Sequence, residues 1–145
     1  MEIDTTRFGR IELSGDGVLT VPNGVFGFED CRRWVTLDEA TNPAVVWLQS
    51  VDRPDLAFAL VSPRRFVPGY QVHVARRDLA PLGQFSAENL EVLVIVSRPG
   101  ARLALNLKAP LVIDAVRGVG CQVVARDDWP VRYEVGSSRP QRRVA

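Results

Sequence analysis

Apolar and polar positions along the chain fall into many short runs, and no long helical stripe is among them. Phe8-Gly9-Arg10-Ile11-Glu12-Leu13 alternates, which predicts a half-buried strand. Runs of strand length recur at residues 18–21, 34–37, 45–51, 56–61, 91–96, 103–105, 111–116, 121–125 and 131–135. Turn clusters separate them: Ser14-Gly15-Asp16-Gly17, Pro22-Asn23-Gly24, Asp52-Arg53-Pro54-Asp55, Ser97-Arg98-Pro99-Gly100 and Gly118-Val119-Gly120. Val25-Phe26-Gly27-Phe28 would set both rings on one face if it were extended. The middle is less regular. Residues 70–74 read as a strand, whereas 77–82 and 86–90 read as single helical turns, with Ser86 as an N-cap. Even strand spacing without an amphipathic helix predicts a mainly all-β chain, an antiparallel barrel or sandwich with minor short helical segments.

The pattern turns on residues 102–114. Two apolar runs, Leu103-Ala104-Leu105 and Leu111-Val112-Ile113, flank the polar corner Asn106-Leu107-Lys108-Ala109-Pro110. The second run is apolar throughout, as in a strand buried on both faces. Pro110 lacks an N–H and so suits the start of that strand, and it drives Ala109 towards extended geometry. The corner is predicted to be short, stiff and extended, with no reactive group.

Length and composition narrow the class. At 145 residues with 46% hydrophobic content, one domain over 1–135 can bury a core without staples. Residues 136–145 hold Gly, Ser, Pro and three arginines with little to bury, and are expected to be a disordered basic tail. The formal charge is +1, unevenly placed: without Arg139, Arg142 and Arg143, 15 basic residues face 17 acidic ones. The N-terminus Met1-Glu2-Ile3-Asp4 lacks the positive charge and apolar run of a signal peptide. No apolar run nears the roughly 18 residues that span a bilayer, so a cytoplasmic protein with no membrane partner is expected. Cys31 and Cys121 then read as free, buried thiols.

Candidate catalytic chemistry is sparse. The single histidine, His73, lies between two valines with no motif to propose a nucleophile, so a solvated or satisfied side chain is the simpler reading. Two distant cysteines and one histidine do not form a zinc set. Gly118-Val119-Gly120 fails as a dinucleotide fingerprint because the third glycine position holds Val123. Asp52 and Asp55 are better explained as turn residues accepting local N–H groups, and Asp127-Asp128 likewise. Trp34, Trp47 and Trp129 read as core or interface aromatics, since no basic residues interleave with them for nucleic-acid stacking. No cofactor, no metal and no enzymatic activity are expected.

Four blocks then assemble into a known pattern. Gly24-Val25-Phe26-Gly27-Phe28-Glu29 comes first, then Leu48-Gln49-Ser50-Val51-Asp52 with Ala57-Phe58 and Pro63. Asn106-Leu107-Lys108-Ala109-Pro110-Leu111-Val112-Ile113 and Gln122-Val123-Val124 follow in order. Together the chain resembles the FliW family of bacterial flagellar assembly factors. Two departures stand out: Asp114, where that pattern more often has Asn, and the arginine tail.

The resemblance implies a single antiparallel β-barrel-like domain. It also implies a non-enzymatic function. Such proteins bind flagellin and the RNA-binding regulator CsrA, antagonising CsrA's repression of flagellin mRNA translation. The expected partners are therefore flagellin and CsrA, with no direct nucleic-acid contact, and the expected state is a monomer. The partner-binding residues expected are Asn106, Leu107, Lys108, Ala109 and Pro110, because a polar corner between core strands can offer Asn106 as donor and acceptor. A small β-barrel nucleic-acid binder, with the tail arginines on phosphates, is the alternative reading.

Overall fold

The structure is a computed structural model, described here for residues 1–14 and 17–135. Eleven strands are found among them: β1 (Glu2–Thr5), β2 (Gly9–Glu12), β3 (Val18–Thr20), β4 (Arg33–Asp38), β5 (Val45–Ser50), β6 (Ala57–Val61), β7 (Leu90–Ser97), β8 (Leu103–Leu105), β9 (Leu111–Asp114), β10 (Val119–Gln122) and β11 (Tyr133–Val135). Short 3-10 turns occupy Pro63–Arg65, Arg76–Leu82 and Ala87–Asn89. β1 and β2 form a separate hairpin. Seven strands close into a barrel in the order β3-β4-β5-β6-β7-β9-β10, and β10 returns to β3. That closing pair is parallel; the other pairings are antiparallel. The barrel therefore bears out the all-β reading, and closure leaves its seven strands without a free edge.

Alternation along each strand fills the barrel. Leu19, Trp34, Leu48, Leu60, Leu93, Leu111 and Ile113 point inward and pack together, with Phe28 and Phe58 against them. The Trp34 indole is fully buried, and its N–H donates to the Cys31 carbonyl at 2.9 Å. Val112 faces outward, yet it is buried too. It lies with Leu82, Cys121 and Val123 beneath Leu79 and Phe85 of the irregular middle segment. This external cover is why all four residues of β9 are buried. A second outer layer sets Tyr70, Val72 and Trp129 over Val94, Leu105 and Leu107.

Some expectations are corrected. Val25-Phe26-Gly27-Phe28 is not extended: the Phe28 N–H bonds the Val25 carbonyl at 2.6 Å, and Gly27 has φ +91°. Phe26 is consequently 47% exposed while Phe28 packs on Phe58. Residues 70–74 form no strand. Ser86 precedes a 3-10 turn, but its side chain makes no cap bond. The turn before β10 ends at Gly118 (φ +69°), so Val119 and Gly120 belong to the strand. Glu2–Thr5, unread as a strand in the sequence, pairs with β2. Asp52 pairs with Arg33, and it is Ser50 Oγ that accepts the turn's N–H groups, from Asp52 at 3.2 Å and Arg53 at 3.0 Å. Cys31 and Cys121 are free and buried as read. The basic tail lies outside the described residues.

Candidate functional site: the bulged corner and its groove

β8 and β9 lie along the same edge of β7, one after the other. Val96 faces Leu105 and Leu93 faces Leu111, so three steps along β7 match six on the opposing chain. The excess is the corner Asn106–Pro110, a wide bulge in what is otherwise one long strand. The Asn106 N–H still bonds the Ile95 carbonyl at 3.0 Å, after which the chain leaves the ladder. Asn106 Oδ1 turns inward and accepts the Ala109 N–H at 3.0 Å. That bond, from the N–H three residues on, closes the bulge as an N-cap side chain closes the first turn of a helix.

Every carbonyl from Leu107 to Pro110 has a partner. Tyr70 Oη donates to Leu107 O at 2.8 Å, Ala125 N to Lys108 O at 2.7 Å, Gln122 Nε2 to Ala109 O at 2.9 Å, and Val123 N to Pro110 O at 3.0 Å. The Lys108 ammonium donates to Asp127 O at 2.8 Å. Leu107, Ala109 and Pro110 are buried; Asn106 and Lys108 are half-buried. The Asn106 amide N–H2 has no partner among the described residues and remains for solvent or another molecule.

Segments from two other blocks reach the corner. Gln122 Oε1 accepts the Phe26 N–H at 2.7 Å, while its Nε2 holds Ala109. One amide thus joins three of the blocks that carry the resemblance. Beside it lies a groove of about 590 Å³ lined by Pro22, Phe26, Ala80, Pro81, Gln122 and Val124, with Arg77 and Asp78 on its rim. Phe26 and Val124 (50%) are exposed there, and adjacent apolar side chains on a closed barrel suit protein contact. A larger depression of about 880 Å³, walled by Arg76, Phe85, Asn89 and Arg117, includes no residue of the four blocks.

On its other side the corner is covered by Tyr70, Asp127 and Trp129. The Tyr70 ring lies tilted, 4.9 Å from that of Trp129, whose indole N–H donates to Gln71 O at 2.7 Å. Burial, with the nearby Asp127 charge, pushes the Tyr70 hydroxyl up to about 12. His73 is 70% exposed and contacts Asp127 at 2.7 Å through Nδ1, and its backbone N–H donates to the same carboxylate at 2.6 Å. Those two bonds, the side-chain one first, hold the Asp127 carboxyl below its ordinary range. Asp127 here anchors the backbone and side chain of His73. Among the described residues no cluster could hold a metal ion.

The sequence reading singled out the corner but missed Gln122 and Phe26 as its partners. Gln122 had been noted only as part of a strand block. The one available signal was a polar residue inside an otherwise apolar strand run.

Comparison with known proteins agrees with this fold. The family model described as FliW protein matches residues 2–135. A flagellar assembly factor FliW from Lachnoclostridium phytofermentans is 36% identical, covering 93% of this chain and 90% of the relative. Another, from Syntrophus aciditrophicus, is 34% identical over 96% of this chain and 90% of its own length. The crystal structure of a flagellar assembly factor FliW superposes with a TM-score of 0.83 at 26% identity, covering 92% of this chain and 96% of that one. With a family match across all its strands and relatives above a third identical over most of their length, the chain belongs to the FliW family.

Proposed function

We propose that this protein binds flagellin and antagonises CsrA, relieving repression of flagellin mRNA translation, and that it does so in the cytoplasm as a monomeric binding protein without catalysis. The observation that carries this reading is the junction at Gln122, where the bulged corner and the exposed Phe26 turn meet beside a groove of mixed apolar and polar lining. The relatives' name, flagellar assembly factor, supports the same reading. In it, Asn106 and Lys108 make the outward contacts of the corner, while Leu107, Ala109 and Pro110 shape it from within.

The switch needs only mass action. Flagellin that holds the factor lowers its free concentration, and capture of CsrA falls accordingly. Export of flagellin reverses the balance.

Calorimetric titration with purified CsrA, alone and with flagellin already bound, tests the reading. Binding of CsrA that flagellin abolishes supports the switch. Binding that flagellin leaves untouched points to two independent adaptor sites, and absence of binding to both proteins rejects it. Asn106→Asp and Lys108→Ala are expected to weaken one of the two complexes while the protein stays folded.

A further inference from the structure

Gln49, at the end of β5, is fully buried, and its amide is used on one side only. Nε2 lies 3.0, 3.3, 3.3 and 3.1 Å from the carbonyls of Ser50, Arg53, Pro54 and Leu56. Those carbonyls settle the orientation, since the reverse placement would set Oε1 against four acceptors. Oε1 is left without a hydrogen-bond partner. Such orphaned acceptors are costly and rare in folded proteins, so each one calls for an explanation.

The same residue lines a cleft of about 310 Å³ with Thr6, Arg7, Pro54, Asp55 and Ala57. The Arg7 guanidinium lies 4.3 Å over the Trp47 ring. Stacking of this kind steadies the guanidinium plane and leaves its edge N–H donors free. Among the described residues Arg7 forms no ion pair and no hydrogen bond. The cleft therefore brings together Gln49, whose Oε1 has no partner, the steadied donors of Arg7, and Asp55, which pairs with Arg53 at 3.8 Å.

We propose that this cleft receives one peptide unit from an extended segment of a protein partner. The partner's backbone N–H donates to Gln49 Oε1, and its carbonyl accepts from Arg7. A phosphate or carboxylate fits less well, because Oε1 has no proton to give and Asp55 stands beside it. Oε1 is closed to solvent in the free chain, so entry of the segment requires the turn at Thr6 and Arg7 to move, at the expense of the Thr6 N–H bond to Pro54 O at 2.9 Å. This inference rests on the reading of the chain as a factor that binds proteins, and it concerns a surface separate from the Gln122 groove.

Two full-length variants test it. Arg7→Met keeps an apolar stem over Trp47 and removes the donors; Ala57→Met fills the cleft. Each is titrated with flagellin and with CsrA, and the side-chain amide signals of Gln49 are followed by NMR in the wild type. The expected result is a loss of at least about tenfold in affinity for one partner, with movement of the Gln49 signals when wild type is saturated by that partner. Wild-type affinity in both variants together with unmoved Gln49 signals overturns the proposal and leaves the acceptor to a water. If wild type binds neither protein, the functional reading above fails, and the cleft is decided with an acetylated, amidated alanine peptide at millimolar concentration. Movement of the Gln49 signals then supports the cleft, and their constancy overturns it.

Discussion

Gln122 accepts the backbone N–H of Phe26, 96 residues away in the sequence, at 2.7 Å. Its other amide atom donates to Ala109 O at 2.9 Å. Gln122→Ala removes both bonds and leaves the carbonyl of the buried Ala109 without its donor. A loss of about 1–3 kcal/mol is expected, read by urea unfolding. Gln122→Glu keeps the Phe26 bond and loses the other, and an intermediate loss is expected. Equal losses for the two variants would mean that the Phe26 bond contributes nothing.

Leu107 and Lys108 are neighbours with opposite roles. Leu107 is fully buried among Tyr70, Val94 and Leu105, so Leu107→Ala is expected to lose about 2–5 kcal/mol. Lys108 is half-buried and tied to Asp127 O, so Lys108→Ala is expected to cost less than about 1.5 kcal/mol. Denaturant midpoints of the two variants check the order.

Gly24 has φ +68°, and a Cβ there would stand 2.5 Å from Phe28 O and 2.6 Å from Glu29 Cα. Both obstacles are backbone, so the turn that presents Phe26 must open. Gly24→Ala is expected to destabilise by at least about 1–3 kcal/mol and to shift the Phe26 amide signal, since the Gln122 bond depends on that turn. A well-folded Gly24→Ala protein with an unmoved Phe26 signal would contradict this.

Alkaline pH should loosen the fold in two stages. Burial pushes the Cys121 thiol from 9.0 up to about 11, and the Tyr70 hydroxyl from 10.0 up to about 12. In both cases the unfolded chain ionises first. Stability is therefore intact below the unfolded value and declines as pH rises towards the folded one: first for Cys121, from about 9 to about 11, and then for Tyr70, from about 10 to about 12. Unfolding midpoints measured across this range test the sign. Tyr70→Phe should be less stable at neutral pH, having lost its bond to Leu107 O, and should decline less at the alkaline end.

Strand positions were legible because the alternation of side chains across a sheet is a local property. The runs at 34–37, 45–51 and 56–61 read as strands, and Pro110 announced the start of a buried strand. The Val25–Phe28 turn was misread because its outcome depends on Gly27 taking positive φ, which the sequence permits without requiring. The turn after β5 was placed correctly, but its acceptor was given to Asp52 instead of Ser50. Both are short polar residues able to accept N–H bonds, and only the path of the chain, with Arg33 beside Asp52, separates them.

The sequence by itself determined the mainly β class, the place of most strands and turns and the polar corner between core strands, since each follows from periodicity or from the φ preference of Pro and Gly. Tertiary structure alone decided that the ladder closes through β10 and β3, that β8 and β9 share one edge of β7 with a bulge between them, and that Gln122 joins Phe26 to Ala109. Register and closure depend on contacts between residues far apart in the chain. Which buried amide ends up satisfied at both ends, as at Gln122, or at one, as at Gln49, is settled only when the strands have met.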